Sequence, residues 1–354
     1  MTKVVLIQPY YENIWEALGL GFIASYLKKH YKGELEVLFF QGNFDKDEDI
    51  LAACFGADVV GFSCTSPAYP HALRLAKTIK QESPTTRTVF GGWHPTALPE
   101  IVNDPAIDQI VLGEGEVSFL DIVNGNTDPV VQGTKPSWDE LEWPDRSLIK
   151  NKRTVDLCES MNGLRIASFQ GNRVCPVNCS FCAERLVTGR FNIKTNPIRS
   201  RDPKELCDEI EYVIDDLNLD YFKFVDATFD ISPAYVINFC KEKIKRNITT
   251  PWECLIHASF ANEEMFKWLK ESNCNQVNIG CESGSDKILR DVGKGLRIQT
   301  IQKVFTWAKT YGIERRGFFL LGMPNETRED LRLTEELIDS LDADVVGFTI
   351  LCPY

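Results

Sequence analysis

Short apolar runs separated by amphipathic helical stretches recur along nearly the whole chain, and this alternation leaves few folds open. Residues 1–132 carry such runs at 4–7, 35–40, 58–62, 88–90 and 109–112, with helical spacing at 19–30, 70–81 and 96–102. Near-continuous apolar strands with helices between them describe a parallel sheet covered on both faces. Five such units make a doubly wound α/β domain whose ligand lies beyond the carboxyl ends of the strands. Residues 133–163 break the pattern: Gly133-Thr-Lys-Pro-Ser-Trp-Asp and Trp143-Pro-Asp-Arg146 are turn-rich, so this segment reads as a linker. From 164 the alternation resumes. Strands are expected at 164–169, 221–225, 253–257, 276–280, 316–321 and 345–351, and helices at 203–217, 234–245, 263–272, 300–311 and 328–341. Six parallel strands suit a partial (β/α)6 barrel in residues 164–354, open on one side, with active residues at the carboxyl ends of its strands.

The balance of 39 basic against 51 acidic residues, a formal net charge of −12, argues against non-specific binding to nucleic acid or an anionic membrane. No stretch approaches the ~20 apolar residues of a membrane span, and Met1-Thr-Lys3 runs into Val4 with no secretory leader expected. Twelve cysteines in 354 residues are too sparse for a disulfide scaffold, so a reducing cytoplasm is expected.

Three of those cysteines fall together as Cys175-Pro-Val-Asn-Cys179-Ser-Phe-Cys182. A structural zinc site wants four closed ligands, usually as two knuckles, and no second pair stands nearby. A cubane iron–sulfur cluster needs one ligand per iron, so three thiolates would leave one iron open to a substrate or cofactor. A zinc site or chance thiols are the alternatives. The spacing, between Phe169-Gln-Gly-Asn-Arg-Val and Ala183-Glu184, resembles the cluster loop of the radical S-adenosylmethionine (radical SAM) enzymes. Members of that family often carry Arg-Gly before the first cysteine, where this chain has Arg173-Val174, and a second Asp where it has Ala227.

Other strand ends supply polar groups. Asp226 closes the second barrel strand and offers a carboxylate to an amino group or ribose, or simply starts a helix. Gly280-Cys281-Glu282-Ser283-Gly284-Ser285 closes the fourth, its glycines allowing backbone to approach a ligand; a tight turn with a helix cap is the plain alternative. Gly322-Met-Pro-Asn-Glu326 follows the fifth. Their order resembles the radical SAM family over nearly all of 164–351. The resemblance implies that the open iron binds the amino and carboxylate groups of SAM, with Asp226, Glu282, Ser283 and Gly322 lining the SAM pocket. Reductive cleavage would yield a 5′-deoxyadenosyl radical, and Cys281 is a candidate hydrogen-atom donor beside it. His257 faces the pocket or the core, Glu184 follows the cluster or starts a helix, and Cys254 and Cys274 read as structural.

In the first domain, Gly19-Leu-Gly21-Phe-Ile-Ala24 fits a dinucleotide fingerprint but begins about ten residues after the strand ends near Pro9, so it is rejected. Close helix–sheet packing is the expected use of those glycines. Three loops at the carboxyl edge are more telling: Ser63-Cys-Thr65-Ser66, Gly91-Gly92-Trp-His94-Pro95-Thr96 and Gly113-Glu114-Gly115. With Ala17-Leu-Gly-Leu-Gly-Phe-Ile-Ala, they resemble the Rossmann-like cobalamin-binding domain fused to many radical SAM enzymes. The resemblance covers 1–132. It implies a cobalamin whose base is tucked beside Thr65 and Ser66, no histidine on cobalt, and His94 hydrogen-bonded to the corrin edge or holding a turn. His71 starts a helix and is a weaker candidate.

The function implied is a cobalamin-dependent radical SAM methyltransferase acting on an unactivated carbon. It would use a [4Fe–4S] cluster, SAM and cobalamin, one SAM methylating cobalamin and a second making the radical. A cyclase or rearrangement enzyme with the same cofactors is the alternative, and a methylthiotransferase acting on tRNA or a cobalamin sensor is further off. The partners expected are a small-molecule or peptide substrate and an electron donor such as flavodoxin or ferredoxin. Relatives continue into a Pro-Gly turn and a helical domain, whereas this sequence stops at Leu351-Cys-Pro-Tyr354, reading as a truncation or an open substrate site.

Overall fold

Alternate residues of the first strand face opposite ways, and each face finds its own helices. Val4 and Leu6 join one buried cluster with Leu20, Ala24, Leu27, Phe119 and Ile122, while Val5 and Ile7 join another with Ile50, Leu75 and Ile79. The computed structural model describes residues 1–187 and 197–352. The chain forms two compact units, one of Met1–Leu157 together with Leu186 and Val187, and another that begins at Cys158.

The first unit contains strands β1 (Thr2–Gln8), β2 (Leu35–Gln41), β3 (Val59–Ser63), β4 (Arg87–Gly91), β5 (Gln109–Leu112) and β6 (Val130–Gln132), in the order β2-β1-β3-β4-β5-β6. All pairings are parallel. The sixth strand, three residues long, is too short to register as an apolar run. The helices are α1 (Leu18–His30), α2 (Asp47–Cys54), α3 (Tyr69–Glu82), α4 (Trp93–Ala97), α5 (Glu116–Val123) and α6 (Asn151–Asn162). Since β1 lies between β2 and β3, the chain reverses direction of winding there, opening a crevice at the carboxyl ends of β1 and β3.

The segment expected as a linker is built into this unit. A Cβ at Gly21 would lie 2.9 Å from Pro144 Cβ, the Ser25 hydroxyl donates to the Trp143 carbonyl at 2.6 Å, and Ile149 is buried in the α1 core. Gly21 therefore admits the returning chain rather than the sheet, and nothing lies within 4 Å of a Cβ at Gly19. The boundary between the units falls inside α6.

The second unit carries β7 (Ile166–Phe169), β8 (Asn172–Arg173), β9 (Arg199–Ser200), β10 (Tyr221–Phe224), β11 (Trp252–Ile256), β12 (Cys274–Glu282), β13 (Glu314–Leu321) and β14 (Val345–Ile350). Six strands run parallel in the order β14-β13-β12-β11-β10-β7, and β8 and β9 form an antiparallel bracket around the cysteine loop. The helices are α7 (Glu184–Val187), α8 (Pro203–Leu217), α9 (Pro233–Lys245), α10 (Glu263–Glu271), α11 (Asp286–Asp291), α12 (Ile298–Thr310) and α13 (Arg328–Leu341). Aromatic rings of Phe222, Phe224, Phe229, Phe239 and Trp252 fill the layer between β10, β11 and α9. Among the described residues no helix is long and apolar enough to cross a membrane.

Gly284 marks where the β12 turn meets α13. A Cβ there would sit 2.5 Å from Thr334 Cα and closer still to the Leu333 carbonyl oxygen. Both are helix backbone and cannot move aside. Gly284→Ala should cost about 3 kcal/mol or more, lowering the urea midpoint with an unchanged slope; an unaltered midpoint would refute the packing argument.

Candidate active site

The three cysteines occupy the loop that leaves β7, and the surrounding backbone is tied at both ends. Asp226, just past β10, accepts hydrogen bonds from Gly171 N at 3.1 Å and from Asn172 N. Arg201 donates to the Gln170 carbonyl at 3.3 Å and is paired with Glu205 and Glu209 at 2.5 Å each. Between anchor and cluster, Val174 takes φ 76°. That left-handed conformation is strained for a β-branched residue and is one that glycine adopts freely. Farther along, Ser180 N donates to the Val292 carbonyl at 2.8 Å, and Cys182 N to the Cys179 carbonyl at 3.2 Å.

Burial pushes the Cys175 thiol up to about 11 and Cys179 up to about 12, and raises Cys182 as well. The bare thiols are therefore protonated at neutral pH, and metal ligation must release their protons. Among the described residues no three His, Cys, Asp or Glu side chains converge on a single-ion site. A cubane asks for something looser, one thiolate per iron, and the three thiols act on one another electrostatically as near neighbours do. The donor set fits a [4Fe–4S] cluster.

Lys294 is the site residue that sequence reasoning missed. Its buried ammonium lies 2.7 Å from Glu282 Oε1, and its charge acts on all three thiols. Burial pulls its pKa down, but Glu282 and the Cys179 thiol outweigh this, and the net direction is up. Gly280 makes the pairing possible, since a Cβ there would meet Glu282 Oε1 at 2.7 Å and Lys294 Nζ at 2.8 Å. A register shift at Gly280/Glu282, with Glu282 at φ 66°, turns the carboxylate toward this lysine. The glycines of this turn thus serve protein contacts: Gly280 the ion pair, Gly284 the helix.

Three expected roles change. Asp226, expected on SAM, is buried with its carboxylate committed to the cluster loop. Burial raises it to about 7 against those hydrogen bonds. Ser283 is fully buried, its hydroxyl beside Thr334 at 3.4 Å and accepting from Ser285 N at 3.2 Å, so it holds the turn. Cys281 is corrected outright as a hydrogen donor. Its side chain is fully buried, its Sγ lies 3.7 Å from a Cβ built on Gly317 beside the Phe305 ring of α12, and it bonds to the Ile279 carbonyl. Strand alternation sends it into the helix-covered core, where a thiol behaves as a small hydrophobe. Gly322 is exposed at φ 85°, its N–H donating to Glu326 Oε2 at 2.7 Å, while Glu326 Oε1 is buried without a partner among the described residues. Glu184 opens α7.

His257 is buried, with Nδ1 2.7 Å from the Ser259 hydroxyl and Nε2 3.1 Å from the Lys294 carbonyl. Burial, reinforced by the Lys294 charge, lowers it to about 3. The folded protein thus binds one proton fewer than the unfolded chain between pH about 3 and 6.5. Its contribution to stability is complete above pH 6.5 and is lost as pH falls toward 3. The difference in melting temperature between wild type and His257→Gln should therefore narrow as pH drops from 7.5 to 5 (values chosen to bracket ~6.5). A gap that widens would contradict a neutral His257.

At the carboxyl edge of the first sheet the expected loops converge. Cys64 N donates to the Gly91 carbonyl at 2.8 Å and His94 N to the Cys64 carbonyl at 3.0 Å. Gly92 is at φ 94°, where a Cβ would crowd Cys64 O at 3.0 Å. Thr96 joins two turns, its hydroxyl donating to Gly92 O at 2.7 Å and accepting from Gly113 N at 3.0 Å. His94 is buried, with Nδ1 3.0 Å from the Ser66 hydroxyl and its ring 4.1 Å from that of Tyr69. Its Nε2 is buried and unpartnered among the described residues. Ser63, Thr65, Gly91, Gly113 and Gly115 are half-buried, Ser66 is exposed, and Pro95 and Glu114 are buried. His71 is spent: Nδ1 accepts from Tyr10 N at 2.6 Å, and Nε2 is 2.8 Å from Asp47 Oδ1. The loop after β1 escaped sequence reasoning because its glycine-free run, Tyr10 to Glu16, has no motif. It stands at the crevice with Tyr10 and Trp15 exposed by 49% and 56%. A polar edge with an orphaned imidazole nitrogen and a glycine cradle fits a cobalamin's amide rim.

Family models match the chain as a Radical SAM superfamily domain over residues 170–338 and as a B12 binding domain over residues 5–123. The chain is a cobalamin-dependent radical SAM enzyme. Its cofactors are a [4Fe–4S] cluster, SAM and cobalamin. The enzyme is similar to an uncharacterized methyltransferase of Pyrococcus horikoshii, 27% identical over 100% of this chain and 81% of the relative. It is also similar to the cytidylyl-2-hydroxyethylphosphonate methyltransferase of Streptomyces wedmorensis, 25% identical over 94% of this chain and 74% of that protein. The anaerobic magnesium-protoporphyrin IX monomethyl ester cyclase of Rubrivivax gelatinosus is 25% identical over 99% of this chain and 68% of its own length. In fold, the enzyme resembles the radical SAM methyltransferase TsrM of Kitasatospora setae, with TM-score 0.79, 18% identity, and 99% and 73% of the two chains covered.

Proposed function

We propose that this enzyme transfers a methyl group from SAM, by way of cobalamin, to an unactivated carbon of a small-molecule or peptide substrate. The observation that carries it is a three-thiol loop beside buried Lys294–Glu282, joined in one chain to a crevice edged by His94, Thr96 and Gly113. When bound, the cluster with SAM supplies a hydrogen-abstracting radical, and the cobalamin supplies a methyl carrier. Cys175, Cys179 and Cys182 would hold three irons of the cluster, and Asp226 and Arg201 fix their loop from behind. Lys294 offsets the negative charge of the thiolates in a buried setting, where such a charge counts for more than in water. Glu282 and the Gly322 turn edge the place for SAM, with the unpartnered Glu326 oxygen as a further acceptor. In the first unit, His94 Nε2 and the hydroxyls of Thr65 and Ser66 would take the cobalamin, and Thr96 holds two glycine turns in register. A reducing cytoplasm suits the twelve unbridged cysteines.

Turnover separates this reading from ring closure or rearrangement. Methylation consumes two SAM molecules and leaves S-adenosylhomocysteine and 5′-deoxyadenosine in equal amounts, with product heavier by one methylene. With anaerobically reconstituted, reduced enzyme and extract-derived substrate, both co-products should rise together. Deoxyadenosine alone, with an unchanged or oxidised carbon skeleton, would defeat methyl transfer.

A further inference from the structure

A surface recess of about 660 Å³ lies on the outer side of α11 and the turn into α12, lined by Asp286, Arg290, Gly293, Leu296, Arg297 and Gln299. Its wall is the back of the cluster loop's support. Val292 accepts from Ser180 N at 2.8 Å, and a side chain at Gly293 would meet the Asn178 carbonyl at 3.2 Å. The floor of the recess is thus one backbone layer from Cys179. Arg290 and Arg297 are exposed and make no ion pair among the described residues. The one facing carboxylate, Asp286, is drawn inward as acceptor for Ile298 N at 3.0 Å. Two unpaired guanidiniums at one spot stand out on a chain of net charge −12. On the wall nearest the loop, Gly293 brings backbone without a side chain against Asn178, the residue before Cys179.

We propose that this recess is the docking surface for an acidic one-electron carrier of the flavodoxin type, which reduces the cluster. The inference rests on the reading that the cluster must gain an electron before it cleaves SAM. The anionic flavin hydroquinone gives up one electron and becomes the neutral semiquinone, and the cluster goes from the 2+ to the 1+ state, with no proton transferred. Tunnelling falls exponentially with distance, so a donor belongs where the cluster lies nearest the surface. A recess rather than a flat face admits the projecting edge of a flavin and its flanking loop. Charge complementarity selects the partner: paired guanidiniums steer an acidic protein and raise its on-rate.

The test compares two reductants on reconstituted holoenzyme, wild type and Arg290→Glu/Arg297→Glu. Cluster reduction is followed by loss of visible absorption and gain of the reduced-cluster electron paramagnetic resonance signal. With flavodoxin hydroquinone at low salt, the double variant should be reduced at least about tenfold more slowly, the gap closing as salt is raised. With dithionite, which needs no docking, both should be reduced and cleave SAM at the same rate. Binding of oxidised flavodoxin, read from flavin fluorescence, should weaken in parallel in enzyme lacking the cluster. Equal flavodoxin rates in variant and wild type would overturn the docking surface while leaving the function standing. Equal slowing with dithionite would overturn it too, by assigning the arginines to the chemistry. If dithionite fails to drive SAM cleavage in wild type, the functional reading falls and takes the inference with it.

Discussion

Cys179→Ala protein, reconstituted anaerobically, retains less than about one iron per chain where wild type retains about four. Each thiolate holds its own iron, and no other cysteine can substitute. Cys207, Cys240, Cys254 and Cys274 are buried in the core, and Cys281 is enclosed beside α12. Cys179 is the most enclosed of the three ligands, 6% exposed, and is among the groups that raise the Lys294 pKa. Its loss removes an iron ligand and one of the groups that offset the buried Lys294 ammonium, leaving Glu282 and Cys175. Cys158→Ala and Cys352→Ala, at more accessible positions, should keep the full complement. Full iron in Cys179→Ala would show that the cluster reading of this loop is wrong.

Asp226→Ala should cost nearly as much by a different route. Removing the carboxylate leaves two buried backbone N–H groups, of Gly171 and Asn172, without acceptors. At roughly 1–3 kcal/mol for each, the cluster loop loses several kcal/mol of support just before a residue already held at φ 76°. The expected outcome is a lower thermal midpoint and an iron content cut by half or more, with Asp226→Asn intermediate because one amide oxygen can still accept. A SAM ligand would behave otherwise. Its alanine variant would keep iron and midpoint and bind SAM more weakly, and that pattern would remove the anchoring role.

Asp226 also shows where sequence reading ends. Its position at the end of a strand was legible from the apolar run before it, and so was the whole order of strands, because burial on both faces forces near-continuous hydrophobic segments. The target of its carboxylate was not, since the acceptors it meets are backbone groups 54 and 55 residues away that carry no sequence signature. Lys294 was hidden for the same reason: only the bulge at Glu282 and the bare face of Gly280 bring it to the thiols. Gly21 and Gly284 were visible as glycines, but what approaches them is set by tertiary packing. The cysteine loop was readable because metal ligation needs specific atoms at short chain spacing. The segment from Gly133 to Ile149 misled because its turns and prolines look like a tether, yet Trp138 and Ile149 cover α1.

The central claim is that one chain holds both an open-iron cluster and a cobalamin. The direct measurement is the metal and cofactor content of wild-type protein reconstituted anaerobically with iron, sulfide and hydroxocobalamin, then freed of unbound material by gel filtration. The account predicts about four irons and one cobalamin per chain, the cobalamin retained in Cys179→Ala while the iron is lost. Protein that keeps its iron but releases all its cobalamin would contradict it.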